Sequence, residues 1–212
     1  VDRLGLDYAV ITSVTRDDLQ DGGARIFAET IRSVRNRRPR CLIEVLIPDF
    51  GGSLDAVDTV LAAGPNVLNH NVEIVPRLYP RVRPEAEWGR SLGILEHARE
   101  RGFLTKSGLM VGLGESRDEL LAALRDLAQA GTGILTLGQY LAPTKNHHPV
   151  VRSLPPDEFE EIGSQARKLG FRYVVSGPLV RSSYQAREAY EACLRSETAQ
   201  HVSESVRSTA QR

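Results

Sequence analysis

Cysteine is scarce in this chain of 212 residues: Cys41 and Cys193 are the only two, too far apart to form a ligand-spacing motif. A disulfide scaffold is unnecessary at this length, so both read as free thiols in a reducing compartment. An excess of one charge is lacking too. The 27 Lys and Arg balance the 27 Asp and Glu, so no global field draws the chain to nucleic acid or to an anionic membrane. No apolar run approaches the ~18 residues of a membrane span, and the N-terminus lacks the charged-then-apolar pattern of a signal peptide. A cytoplasmic protein is expected, with no nucleic-acid or membrane partner. Methionine is nearly absent as well: Met110 is the only one, and Val1 opens inside what reads as a working segment. A piece of a longer protein is expected.

What is present is a repeat. Apolar, β-rich runs recur as "YAVITSV", "CLIEVLIPDF", "NVLNHNVEIV", "TKSGLMVGLG", "GILTLGQYL" and "RYVVSGPLV". Between them, helical apolar spacing marks "GARIFAETIRSVRNR", "SLDAVDTVLAAG", "WGRSLGILEHARERG", "SRDELLAALRDLAQAG" and "PPDEFEEIGSQARKLG". Strand, loop and helix recurring every ~30 residues argue for βαβ units and a parallel α/β sheet. Polar residues gather where each strand ends, in "TRDD", "PDF", "HNVE", "GLGE", "GQY" and "RSSY". A doubly wound sheet concentrates its site at one switch point, whereas a barrel draws on many strand ends, so a complete or partial barrel is favoured. One domain over residues 1–190 is expected, followed by a polar tail over 191–212 whose last ~15 residues read as mobile.

Several stretches carry chemistry. Arg16 and Asp17 stand at a strand end, where they either orient a polar ligand or form an ordinary charged helix start. His70 and Asn71 interrupt an apolar run and need hydrogen bonds if buried. Asn71 and Glu73, two apart, project to one side of a strand, with His70 opposite as a satisfied core residue. Among Arg77, Arg81 and Arg83, at least one is placed to clamp a carboxylate. Lys106, inside a strand, is either a Schiff-base nucleophile or a charged partner of a carboxylate. "GLGE" lacks a P-loop's Lys-Ser pair, so Gly112 and Gly114 read as sites of close backbone approach. Gln139 and Tyr140 end a strand before a long loop in which His147 and His148 read as a solvated pair. In "LVRSSYQA", residues 179–186, Arg181, Ser182 and Ser183 follow a buried strand; one serine is either an N-cap of the next helix or a functional hydroxyl.

Taken in order, "VTRDDLQDGG", "IEVLIPDF", "NHNVE", "VPRLYPRVRP", "TKSGLMVGLGE", "LTLGQYLAPT", "HPV" and "GPLVRSSYQA" resemble the lipoyl synthases, which are radical S-adenosylmethionine (SAM) enzymes. The resemblance implies a partial (β/α)6 TIM-like barrel, here without its first strand. It implies two 4Fe–4S clusters, one cleaving SAM to a 5′-deoxyadenosyl radical and an auxiliary one yielding sulfur to carbons 6 and 8 of a protein-bound octanoyl chain. By the same match Ser183 ligates the auxiliary cluster, with Ser182 the second choice and Arg181 beside it. Asn71, Glu73 and Arg83 hold the ribose and methionine parts of SAM; Lys106 and Gln139 line that cavity, with Arg16 and Asp17 at its rim. The family's C-x4-C-x5-C and C-x3-C-x2-C motifs do not occur here, so the chain alone is expected to hold neither cluster and to be inactive. Trp88 stands where the family commonly has tyrosine. Implied partners are octanoylated lipoyl domains (2-oxoacid dehydrogenase acyltransferase subunits, the glycine-cleavage H protein), an electron donor and a cluster-repair protein. Two readings compete: a Schiff-base lyase using Lys106, and a non-catalytic remnant that binds octanoyl or lipoyl domains.

Overall fold

The computed structural model describes residues 1–196. Six parallel strands lie side by side in chain order: β1 (Tyr8–Thr12), β2 (Leu42–Leu46), β3 (Val67–Asn69), β4 (Leu104–Val111), β5 (Ile134–Gln139) and β6 (Tyr173–Gly177). Helices cross between them: α1 (Ala24–Arg37), α2 (Leu54–Leu61), the short α3 (Tyr79–Val82), α4 (Trp88–Glu100), α5 (Arg117–Gln129) and α6 (Pro156–Lys168). Right-handed crossovers in an unbroken strand order put every helix on one side. The other side becomes the inner face of a partial barrel. Six strands are thus supplied by this chain itself, so the first strand implied by the resemblance would be a further one.

Alternation along the strands separates the two faces. Ile43 and Val45 of β2 and Leu68 of β3 pack on Phe27, Ile31, Val57 and Ile94 of the helix layer. Leu109 and Val111 of β4 and Leu135 and Leu137 of β5 pack on Leu120, Leu124, Leu127 and Phe159. At the alternate positions of these strands, Glu44, Asn69, Lys106 and Thr136 therefore face inward, and all four are buried.

Local sequence sets the helix starts. Ser116 and Glu119 form a capping box at α5, Ser53 caps α2, and Gly23 supplies the left-handed residue before α1 at φ 88°.

A last helix over 186–196 follows β6 and closes the N-terminal end of the inner face. Its Ala189 and Cys193 pack on Ile134, Leu104 and Tyr173, and its Tyr190 meets the Tyr8 ring at 6.3 Å. The boundary expected after residue 190 thus falls inside this helix, because Cys193 is an apolar contact and not part of a polar tail. The mobility expected near the C-terminus concerns residues outside the described ones from 197 onward.

Candidate binding site at the C-terminal mouth

β3 is shorter than its apolar run suggested. The strand ends at Asn69, although the His70 N–H still donates to the Lys106 carbonyl at 3.0 Å; the His70 ring is satisfied in the core, with Nδ1 3.0 Å from the Ile47 carbonyl and Nε2 3.0 Å from Ser91 Oγ. Burial pushes the His70 imidazole below its usual range, so it serves as a neutral core residue. Pairing resumes only at an isolated bridge between Glu73 and Leu109. Glu73 there has φ 67°, a conformation that costs a non-glycine residue roughly 1–3 kcal/mol and collects at functional sites.

The turn aims three polar side chains at one place. Asn71 Nδ2 donates to Glu73 Oε1 at 3.2 Å, while Asn71 Oδ1 is buried without a hydrogen-bond partner. Arg83 Nη1 lies 3.5 Å and 3.4 Å from the carbonyls of Asn71 and Val72. Burial raises the Glu73 carboxyl above its usual range, and the Arg83 charge and the Asn71 amide offset this only in part. Gly108 of β4 makes room: a Cβ there would stand 2.9 Å from Asn71 Oδ1 and 2.8 Å from Thr136 Oγ1. Asn71 thus lies over the inner face and not in the helix layer. Arg83 also borders a cavity of about 480 Å³ that reaches Thr15, Asp17, Asp49, Glu85 and Arg90. Buried polar groups are normally satisfied, so these leftovers suit a ligand bearing hydroxyls and both signs of charge.

The remaining expected residues are distributed differently. Lys106 does not line this cavity: its Nζ is 2.9 Å from Glu44 Oε1, both side chains have 0% exposure, and the pair lies below the mouth. No carbonyl substrate reaches such an amine, which removes the Schiff-base reading. Gln139 does not line the cavity either. It follows Leu135 and Leu137 on the helix side, where Nε2 donates to the carbonyls of Val111, Tyr140 and Arg152 and Oε1 accepts from Leu154 N–H. Arg16 is engaged by Asp18 at 2.6 Å and borders a separate cavity of about 170 Å³ with Gly23 and Phe27; only Asp17 of that pair reaches the rim beside Arg83.

Arg181, Ser182 and Ser183 stand past the end of β6, where Arg181 Nη1 donates to the Val180 carbonyl at 2.7 Å. Residues 182–185 form a turn ending in Gln185 at φ 48°, and the helix begins at 186. Neither serine is therefore its N-cap, and Ser183 is exposed. His148 is half-buried rather than solvated: Nε2 lies 2.8 Å from the Leu113 carbonyl and the ring sits 6.4 Å from that of Tyr140, while His147 remains exposed. The "GLGE" turn is filled by its own acid, since Glu115 accepts from the N–H groups of Gly112 at 2.6 Å and Leu113 at 2.9 Å. The Gly112 and Leu113 amides are thus already taken by a carboxylate of the chain's own.

Glu44 escaped the sequence reading. A single carboxylate in "LIEVL" signals a buried partner, but which of the chain's cations supplies it is settled only by the strand order β2-β3-β4. For an iron–sulfur cluster the donor set does not fit. Cys41 and Cys193 are both buried, Cys41 just before β2 and Cys193 in the closing helix, and no group of three or more His, Cys, Asp and Glu converges among the described residues. For SAM the mouth does fit, on the unpartnered Asn71 Oδ1 and the Gly108 cradle. No helix among the described residues is long and apolar enough to cross a membrane.

The profile of the radical SAM superfamily matches residues 1–127. Over 193 residues the chain is 55% identical to the lipoyl synthase of Rubrobacter xylanophilus, covering 90% of this chain and 60% of that protein. Identity is 57% over 188 residues to the lipoyl synthase of Caldicellulosiruptor bescii, with 88% and 65% covered. It is 49% over 193 residues to that of Alkaliphilus metalliredigens, with 90% and 67% covered. The chain thus spans 60–67% of the length of these three relatives. Among solved structures, a domain of pyruvate-formate lyase-activating enzyme from Bacteroides vulgatus superposes with TM-score 0.56 at 11% identity, covering 79% of this chain and 98% of that one. Methylornithine synthase superposes with TM-score 0.53 at 12% identity, covering 84% and 60%. These two likenesses speak for the fold alone.

Proposed function

Because this chain belongs to the lipoyl synthase family of the radical SAM superfamily, we propose that the protein inserts two sulfur atoms at carbons 6 and 8 of a protein-bound octanoyl chain. The observation that carries the reading is the buried, unpartnered Asn71 Oδ1 beside the Glu73 carboxyl and the Arg83 guanidinium at the mouth of the sheet. SAM and two 4Fe–4S clusters supply the radical chemistry and the sulfur, with the cluster cysteines provided by a region beyond these 212 residues. Asn71 and Glu73 take the hydroxyl and ammonium groups of SAM, and Arg83 takes its carboxylate through charge-assisted hydrogen bonds. Asp17 borders the same cavity from the β1 side. Ser183, exposed beyond β6 with Arg181 two residues before it, offers its hydroxyl as the serine ligand of the auxiliary cluster. The octanoyl chain arrives on lipoyl domains of 2-oxoacid dehydrogenases or on the glycine-cleavage H protein. An electron donor and a cluster-repair protein complete the cycle, in the cytoplasm.

The test is anaerobic reconstitution with iron and sulfide, reading cluster absorption, 5′-deoxyadenosine and lipoyl product. The 212 residues alone take up no stoichiometric cluster; together with the cysteine-bearing region they take up two and form product. Absence of lipoyl product from that longer protein overturns the function. Ser183→Ala is expected to keep 5′-deoxyadenosine formation and to lose most lipoyl product, and unchanged product would return "RSSY" to a plain turn.

A further inference from the structure

Beneath the mouth, β1, β3 and β4 each send one polar side chain inward to the carboxylate of Glu44 on β2. Glu44 of β2 accepts from Lys106 Nζ of β4 at 2.9 Å and from Asn69 Nδ2 of β3 at 3.0 Å on one oxygen, and from the Tyr8 hydroxyl of β1 at 2.8 Å on the other. Glu44, Asn69 and Lys106 all have 0% exposure. A buried ion pair contributes little net stability compared with apolar residues of the same volume, so stability alone does not account for this layer. Its placement does. Asn69 is the last residue of β3, and the chain that leaves it carries Asn71 and Glu73 two and four residues later. The backbone of Lys106 holds the same segment, since its carbonyl accepts from His70 N–H at 3.0 Å. Two residues on, Glu73 N–H donates to the Gly108 carbonyl at 2.9 Å and Met110 N–H to the Glu73 carbonyl at 2.7 Å. A left-handed Glu73 persists only where its surroundings over-determine it, and the Glu44 layer is the lower of its two clamps.

We infer that Glu44 and Lys106 are positioning residues: through Asn69 they fix the 69–73 segment so that Asn71 and Glu73 present their polar groups to SAM. Neither touches the ligand. The inference rests on the reading of the mouth as a SAM site. It adds that the affinity of that site is set by an ion pair one level below it.

The experiment uses the longer, cluster-loaded protein and measures the SAM dissociation constant by equilibrium binding together with thermal stability. Glu44→Gln is expected to raise the dissociation constant and to lower the melting temperature, because it leaves Lys106 buried without its counter-charge. The deciding variant is the double substitution Glu44→Leu with Lys106→Met, which removes both charges and keeps the volume. Its melting temperature is expected to recover above that of Glu44→Gln, short of wild type because the Asn69 amide and the Tyr8 hydroxyl lose their acceptor, while SAM binds at least tenfold more weakly. Wild-type affinity in that folded double variant would overturn the inference. Asn69→Ala, which cuts the link and leaves the pair, is expected to weaken SAM binding by a similar factor, with no further loss when combined with the double variant. Additive losses would overturn it equally, and they keep the test open should one variant fold poorly. Failure of the SAM-site reading looks different: the wild-type protein would then bind no SAM, or Asn71→Ala would leave binding unchanged.

Discussion

Two glutamates flank the upper half of β4, and they differ in what surrounds them. Glu115 closes the "GLGE" turn with both oxygens on backbone N–H groups, at 2.6 Å and 2.9 Å. Glu73, facing the same strand from the other side, has one side-chain donor at 3.2 Å, a left-handed backbone, and a carboxyl pushed upward by burial. The first is a satisfied carboxylate that holds its own loop. The second is held by its loop and left short of partners. A buried acid that costs stability and is not repaid within the chain marks a binding group, whereas one that closes a turn marks structure.

The comparison can be broken most forcefully at Gly112, whose N–H meets Glu115 and whose φ is 98°. A Cβ there would stand 2.3 Å from both the Arg152 carbonyl and Gln139 Nε2. Gly112→Ala should therefore cost roughly 3 kcal/mol in a denaturant titration, combining left-handed strain with overpacking. Next in size, Glu73→Ala should weaken SAM binding about 100-fold, or ~2.7 kcal/mol, measured by equilibrium binding. Glu115→Gln should do the opposite: it leaves one backbone N–H without its charged acceptor and costs about 1–2 kcal/mol of stability, while SAM affinity changes less than threefold. If Glu115→Gln and Glu73→Ala affect SAM affinity alike, the distinction between the two acids fails.

Their pH behaviour separates them further. The folded protein holds the Glu73 proton more tightly than the unfolded chain does, so ionisation costs stability as pH rises from about 4.5 through the folded value. Glu73→Gln should therefore melt above wild type at pH 7, with a gap that closes below pH 4. Glu119 provides the contrast of smallest size. The Arg77 guanidinium, and after it the Ser116 backbone N–H, hold its carboxyl down at about 2, so its contribution is full above pH 4.5 and is lost as pH falls toward 2. Glu119→Gln should flatten that acid limb of the melting curve and leave the neutral range nearly unchanged.

Periodicity alone determined the six strands, the five long helices between them and the parallel order, because buried strands and amphipathic helices have patterns set by backbone geometry. The clustering of polar groups at the C-terminal strand ends was legible too, and with it Asn71 and Glu73 as a pair, whereas only the family resemblance singled out Arg83 from Arg77 and Arg81. His70 as a satisfied core residue and Gly112 as a point of close approach also followed from residue type. Tertiary structure decided the rest. Lys106 was visible as a charge in a strand, but whether it meets a substrate or a carboxylate depends on Glu44, 62 residues away and two strands over. The family resemblance made Gln139 a lining residue, yet one step of the two-residue alternation turned it to the helix side. One of Ser182 and Ser183 could be read as a cap until the turn over 182–185 moved the helix start past both. Local sequence encodes which groups are polar and roughly where along a strand they fall. Which of them remain unsatisfied is a property of the neighbours that folding brings, and only an unsatisfied group is free to bind.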